Sequence, residues 1–214
     1  DRAIEGIRAS GQPAVKLEMR DKYDLGAEFF RWEFATAVAG AMIGINPFDQ
    51  PDVKAAKDAT ESILDEYTNS RHLPSVEIGS STTELLAEVK TGRYLAVLAY
   101  VRQLPEIDRV LADLRRRIVE KRGIATMLGY GPRYLHSTGQ LHKGGPAKGL
   151  FLQITAGHEV DIPIPGRPYT LGVVADAQAL GDLRALKSTG QDVVRVHLDR
   201  ADAASISKVA GEVA

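Results

Sequence analysis

Apolar positions along the chain change their period several times, and each change marks an element. Residues 2–9 read as a helical stretch that Gly11-Gln12-Pro13 breaks, and Ala14 to Met19 alternates as a strand would. Asp24 opens a helix to about Gly44. It is apolar nearly all round, with Phe29, Phe30, Trp32, Phe34, Val38 and Met42, so it is expected to be central and buried. A turn, Ile45-Asn46-Pro47-Phe48-Asp49-Gln50, leads to Pro51, where proline costs nothing at the first helical position. Asp49 or Gln50 can cap the helix that follows, which is amphipathic to about Asn69.

Beyond a connector at 70–79 the pattern becomes an alternation. It predicts helix 82–90, strand 94–101, helix 106–121, strand 124–128 and strand 150–155. Strand 170–174, helix 175–188, strand 193–198 and helix 201–213 complete it. Such an alternation predicts an α/β fold with a mostly parallel sheet flanked by helices. The shift in composition divides the chain into residues 1–70 and a second α/β region, 71–214.

Composition narrows the function classes. The net charge is −1, and no Lys/Arg run exceeds Arg115-Arg116-Arg117, which argues against a nucleic-acid binder. Those three arginines suit the solvated end of a helix. The weakly polar run 34–45 is too short to span a bilayer, and no signal peptide is visible. Cysteine is absent, so disulfides and thiolate zinc sites are excluded and a reducing, cytoplasmic setting is expected.

Two constellations carry candidate chemistry. On the helix after Pro51, Lys57 shares a face with Val53, Thr60 and Leu64, and its side chain leans back toward Gln50. An ammonium on a packing face calls for an anionic partner. A cap and a lysine that extends its head to water explain the same residues. The second constellation, Tyr134-Leu135-His136-Ser137-Thr138-Gly139-Gln140-Leu141-His142-Lys143-Gly144-Gly145, follows a strand, where open α/β sheets place ligands. A histidine there can act as acid or base near neutral pH, or be a hydrogen-bonded structural residue. His136 and His142 lack a carboxylate or cysteine at supporting spacing, so no metal is expected. Gly129-Tyr130-Gly131 lacks the third glycine of a dinucleotide loop and reads as a turn. Gly79-Ser80-Ser81-Thr82-Thr83 reads as helix capping, with a phosphate cradle as the alternative.

Taken together, Gly44-Ile45-Asn46-Pro47-Phe48-Asp49-Gln50-Pro51 with Lys57, and Leu135-His136-Ser137-Thr138-Gly139-Gln140, resemble two segments of the glucose-6-phosphate isomerase family. Likeness continues weakly through 149–154. The whole chain is similar to the C-terminal part of bacterial fusions of transaldolase with that isomerase. The resemblance implies a three-layer, sugar-isomerase-like fold. It implies interconversion of glucose 6-phosphate and fructose 6-phosphate through an enediol(ate), without metal or cofactor. Lys57 would assist ring opening near C1, His136 would handle the ring-opening proton, and Gln50 and Gln140 would line the sugar site. Residues 1–70 would be the C-terminal part of an isomerase-type domain.

The resemblance also implies partners: the sugar-phosphate substrate, isomerase and transaldolase segments of the same polypeptide, and a homodimer in which the histidine comes from the neighbouring subunit. Two departures shape the expectation. The histidine segment here follows the Asn-Pro-Phe-Asp-Gln segment, whereas it precedes it in ordinary isomerases. The family's glutamate base and Ser/Thr phosphate loop have no match and are expected upstream of Asp1, which would leave the 214 residues alone inactive. A sugar-phosphate-binding or regulatory module without catalysis is the alternative, with a pocket at Ser80–Thr83. An assembly domain with no ligand is a third reading.

Overall fold

A computed structural model describes residues 2–49, 51–75, 81–90, 92–146 and 148–213. The chain forms two compact units, Asp1–Asp49 and Gln50–Ala214. The helix after Pro51 therefore belongs with the α/β region, whereas composition placed the change of character at residue 70.

The first unit holds helices α1 (Arg2–Ala9) and α2 (Asp24–Ile43). Residues 14–19 are not a strand, because no strand within this unit's described residues is available to pair with them. Nor is α2 buried. Gly40 is its one buried residue, while Phe30 and Met42 are 70% and 82% exposed. An apolar pattern all round a helix calls for neighbours on every side, and the described residues of this unit offer only α1 and irregular chain. Asn46 closes the turn after α2 by accepting the Phe48 N–H on its side-chain oxygen at 3.0 Å.

The second unit contains a four-stranded, all-parallel sheet in the order β2-β1-β3-β4. Its strands are β1 (Tyr94–Tyr100), β2 (Ala125–Tyr130), β3 (Gly149–Ala156) and β4 (Asp192–Leu198). The central strands β1 and β3 are buried almost throughout, as a sheet covered on both faces requires. Alternate residues divide between the faces. Leu95, Val97 and Ala99 pack with Leu150, Leu152 and Ile154 against α5 (Pro105–Arg122), α8 (Ala203–Val213) and the short α4 (Thr82–Ala87). Ala96, Leu98 and Phe151 pack on the opposite side against Ala179, Leu183 and Leu186 of α7 (Leu171–Ser188). Helix α3 (Pro51–Ser70) then lies on α7, with Ile63 against Ala177 and Leu180. The result is the α/β, three-layer architecture, with α3 added outside α7.

Two segments depart from the expected elements. Residues 171–174 are the first turn of α7 rather than a strand: Thr170 accepts the Val173 N–H at 3.2 Å, and Asp161 accepts that of Gly172 at 2.7 Å. A short apolar run has no period of its own, so those two caps decide the matter. Gly129 and Tyr130 belong to β2 rather than to a turn. A Cβ at Gly129 would lie 2.7 Å from Cβ of Tyr134, so glycine there lets the following chain fold tightly back over the strand.

Candidate functional site

The second half of the β2–β3 connection builds one side of a cavity. A 3-10 turn over Arg133–His136 leads into α6 (Gly139–Gly144). Tyr134 is anchored beneath by its ring contact with Tyr100, at 5.9 Å between centroids. That anchor presents Leu135 and His136 toward α3. The cavity so formed has a volume of about 170 Å³ and is lined by Val53, Ala56, Lys57, Thr60 and Glu61 of α3, Leu135, His136, Lys143, and Gln178 of α7. Lys57 and His136, far apart in sequence, thus share a wall. Both are exposed residues, whereas Lys143 is buried. Helical spacing sets Val53, Lys57, Thr60 and Glu61 on one side of α3, because residues three and four apart lie one above the other.

Gln140 is not on this wall. Its side-chain oxygen accepts the Asp52 N–H at 3.2 Å, and its side-chain nitrogen donates to the Asp52 carboxylate. The amide thereby fastens α6 to the first turn of α3 and fixes where Lys57 stands. Gln50 lies outside the described residues.

The side chain of His142 is buried. Its Nδ1 lies 3.1 Å from the Tyr94 hydroxyl, and its ring meets Phe151 edge-on at 5.1 Å. Burial, reinforced by the neighbouring Lys143 charge, pushes its pKa down to about 4. It is neutral at physiological pH and serves as packing, the structural one of the two readings open for this segment.

Sequence reasoning passed over Glu61, Lys143 and Gln178 on the cavity wall. Glu61 was legible as the residue one helical turn after Lys57. Lys143 stood within its motif without a role. Gln178 gave no signal, since nothing in the sequence says which face of α7 meets α3. The wall therefore offers an imidazole, two ammonium groups, a carboxylate and an amide: donors for an anionic, hydroxyl-rich ligand and groups able to move protons. Among the described residues, no three His, Asp or Glu side chains are grouped so as to hold a metal ion.

The other nominated positions have local duties. Ser81 and Glu84 form a reciprocal capping box at the start of α4, with bonds of 3.2 and 2.9 Å, while Gly79 and Ser80 fall outside the described residues. Arg116 and Arg117 pair with Asp113, and Arg116 also with Glu120, along α5. A larger cavity of about 380 Å³ opens beyond the C-terminal ends of β1 and β3, lined by Tyr100, Arg102, Gly157, His158 and Asp176 among others. Of the residues that the sequence motifs nominate it contains Gly131, and neither Lys57 nor His136. Among the described residues, no helix is long and apolar enough to cross a membrane.

The fold belongs to a class already known. A solved structure, a hypothetical protein (TT0462) from Thermus thermophilus, superposes on 77% of this chain and 43% of its own, with a TM-score of 0.52 and 19% sequence identity. That likeness concerns the fold alone. No protein-family model matches the chain.

Sequence similarity is more specific and shorter. The chain is 39% identical over 70 residues to glucose-6-phosphate isomerase of Exiguobacterium sibiricum, covering 30% of this chain and 16% of that enzyme. It is 43% identical over 51 residues to the enzyme of Leuconostoc mesenteroides, covering 24% and 11%, and 46% identical over 43 residues to that of Streptococcus pyogenes, covering 20% and 10%. The chain is therefore related in part to glucose-6-phosphate isomerases, and each match spans no more than 16% of the relative's length.

Proposed function

We propose that this chain supplies part of a sugar-phosphate isomerase site, and that the polypeptide to which it belongs interconverts glucose 6-phosphate and fructose 6-phosphate through an enediol(ate). The observation that carries the reading is the shared cavity. Lys57 and His136 come from separate motifs, each chosen for its resemblance to the isomerases, and both line it. In this reading Lys57 polarises the ring oxygen and C1 region during ring opening, and His136 handles the ring-opening proton. Gln140 acts on the substrate only by holding α3, and Gln50 borders the sugar. The proton transfer between C1 and C2 falls to a glutamate base from another isomerase segment of the same polypeptide, which also carries transaldolase. A homodimer in the reducing cytoplasm completes the proposal.

Titration calorimetry of fructose 6-phosphate into the chain tests this. Binding is expected, and Lys57→Ala should weaken it by roughly 10-fold or more, the contribution of a charge-assisted hydrogen bond. Affinity unchanged in Lys57→Ala would refute the role of that residue. With the base assigned to another segment in this reading, the 214 residues alone are expected to turn over substrate slower by a factor of roughly 10²–10⁴. Turnover at the rate of a complete isomerase by the pure chain, abolished in Lys57→Ala, would refute the missing-base argument.

A further inference from the structure

Behind the cavity wall lies a charged group that the isomerase reading leaves unused. The side chains of Lys143 and Asp182 are 1% and 0% exposed and form an ion pair. One oxygen of Asp182 accepts the hydroxyl of Tyr134, which itself lies 3.3 Å from the hydroxyl of Tyr100. The other oxygen faces Lys143. The carboxylate is thus held between an ammonium and a phenol. The ammonium is less well served. It has three N–H groups, and among the described residues its ionic partner is Asp182 alone, with no hydrogen-bond acceptor completing it.

A buried ammonium with unmet donors is costly, and an ion pair in such a place is seldom better than packed apolar side chains for stability. Its location suggests another use. Lys143 forms part of the same cavity wall as Lys57 and His136, seven positions after His136 in one motif. We propose that Lys143 is a further binding residue of this cavity, whose ammonium, fixed by Asp182 and Tyr134, takes an anionic oxygen of the bound sugar phosphate. This rests on the sugar-phosphate reading above. Two oxygens have the required chemistry: one on the phosphate, and the oxygen near C1 that becomes negative in the enediolate.

The test is calorimetric titration of the chain with three probes: inorganic phosphate, fructose 6-phosphate, and an aldonate phosphate whose carboxylate imitates the enediolate charge. The variants are Lys57→Ala and the double variant Lys143→Met/Asp182→Asn, which removes both charges and leaves neither buried alone. The double variant should bind roughly 10- to 100-fold more weakly. Loss shared by all three probes assigns Lys143 to the phosphate. Loss confined to the aldonate assigns it to the enediolate oxygen. Nitrogen-detected NMR of the lysine side chains in the unmodified chain gives a readout that does not depend on the double variant folding: the Lys143 resonance should move on ligand addition. Affinities within twofold of the parent, or a Lys143 signal that stays put while that of Lys57 moves, would overturn this assignment and leave the isomerase reading intact. If no probe binds the parent chain, both fall.

Discussion

The contact between α3 and α7 decides whether the cavity exists, and Gly181 is where it can be broken by one methyl group. A Cβ built on Gly181 would lie 2.5 Å from Oγ1 of Thr60 and 3.1 Å from both the Ala56 carbonyl oxygen and the Thr60 nitrogen. The Thr60 hydroxyl can rotate away, but it would give up the hydrogen bond it donates to the Ala56 carbonyl at 2.8 Å. The two backbone atoms can retreat only if α3 moves. Gly181→Ala gains about 1 kcal/mol from helix propensity. Against this stand an overpacking cost of about 1–3 kcal/mol and about 1 kcal/mol for the lost hydrogen bond. The balance is a loss of about 1–3 kcal/mol, or a fall in Tm of about 2–10 °C for a domain of this size.

Because α3 supplies Val53, Ala56, Lys57, Thr60 and Glu61 to the cavity, fructose 6-phosphate affinity should fall as well. Urea unfolding followed by far-UV circular dichroism measures the first effect and calorimetry the second. Gly181→Ala/Thr60→Ala should recover part of the stability, since it removes the nearest of the three obstructing atoms. A Gly181→Ala variant as stable as the parent would refute the close approach and, with it, the placement of Lys57.

Two further outcomes are expected. His142 takes up its proton at about 4 in the folded chain against 6.5 when unfolded. Its contribution is therefore fully present above about pH 6.5, falls away by up to about 3 kcal/mol toward pH 4, and changes no further below that. Urea midpoints across this window should decline with a slope that His142→Gln reduces, and equal slopes would count against the buried neutral imidazole. Gln140→Ala should cost about 1–2 kcal/mol by leaving the Asp52 N–H and carboxylate without their long-range partner. Amide exchange at Asp52 should quicken while that of Leu152, in the central strand, stays slow, and an unaltered rate at Asp52 would show that α3 does not depend on this tie.

What the sequence disclosed follows a physical rule. Elements whose signal is local were legible: the strands around Val97 and Leu152, α5, and α3 with Lys57 and Val53 on one face. Each is fixed by the period of its own residues. Residues 170–174 misled because four apolar positions fit a strand or a helical turn equally, and the arbiter, Asp161 on the Gly172 N–H, lies in a loop with no pattern. Helix α2 misled differently. Its composition states that it wants neighbours, and composition carries no information about whether the described chain provides them.

Asp182 shows how a long-range partnership can nevertheless leave a trace. It sits between Gly181 and Leu183 in a helix whose neighbouring positions, Ala179, Leu180, Leu183 and Leu186, are all buried. A carboxylate amid such a run is improbable unless something positive reaches it. The period of α7 therefore predicts a buried cation somewhere in the chain, without naming it. The motif around His136 contains a lysine in a run of otherwise apolar, polar and glycine residues. Lys143 is the cation that meets it, and the pair ties α6 to α7 beside the cavity. Gln140 left no such trace: an amide suits water as well as a helix end, and its choice of Asp52 is decided only once the backbone has brought them together. Charge buried at a helical period is readable because solvation makes the unpaired alternative so costly. A neutral amide is not, because its alternatives cost almost nothing.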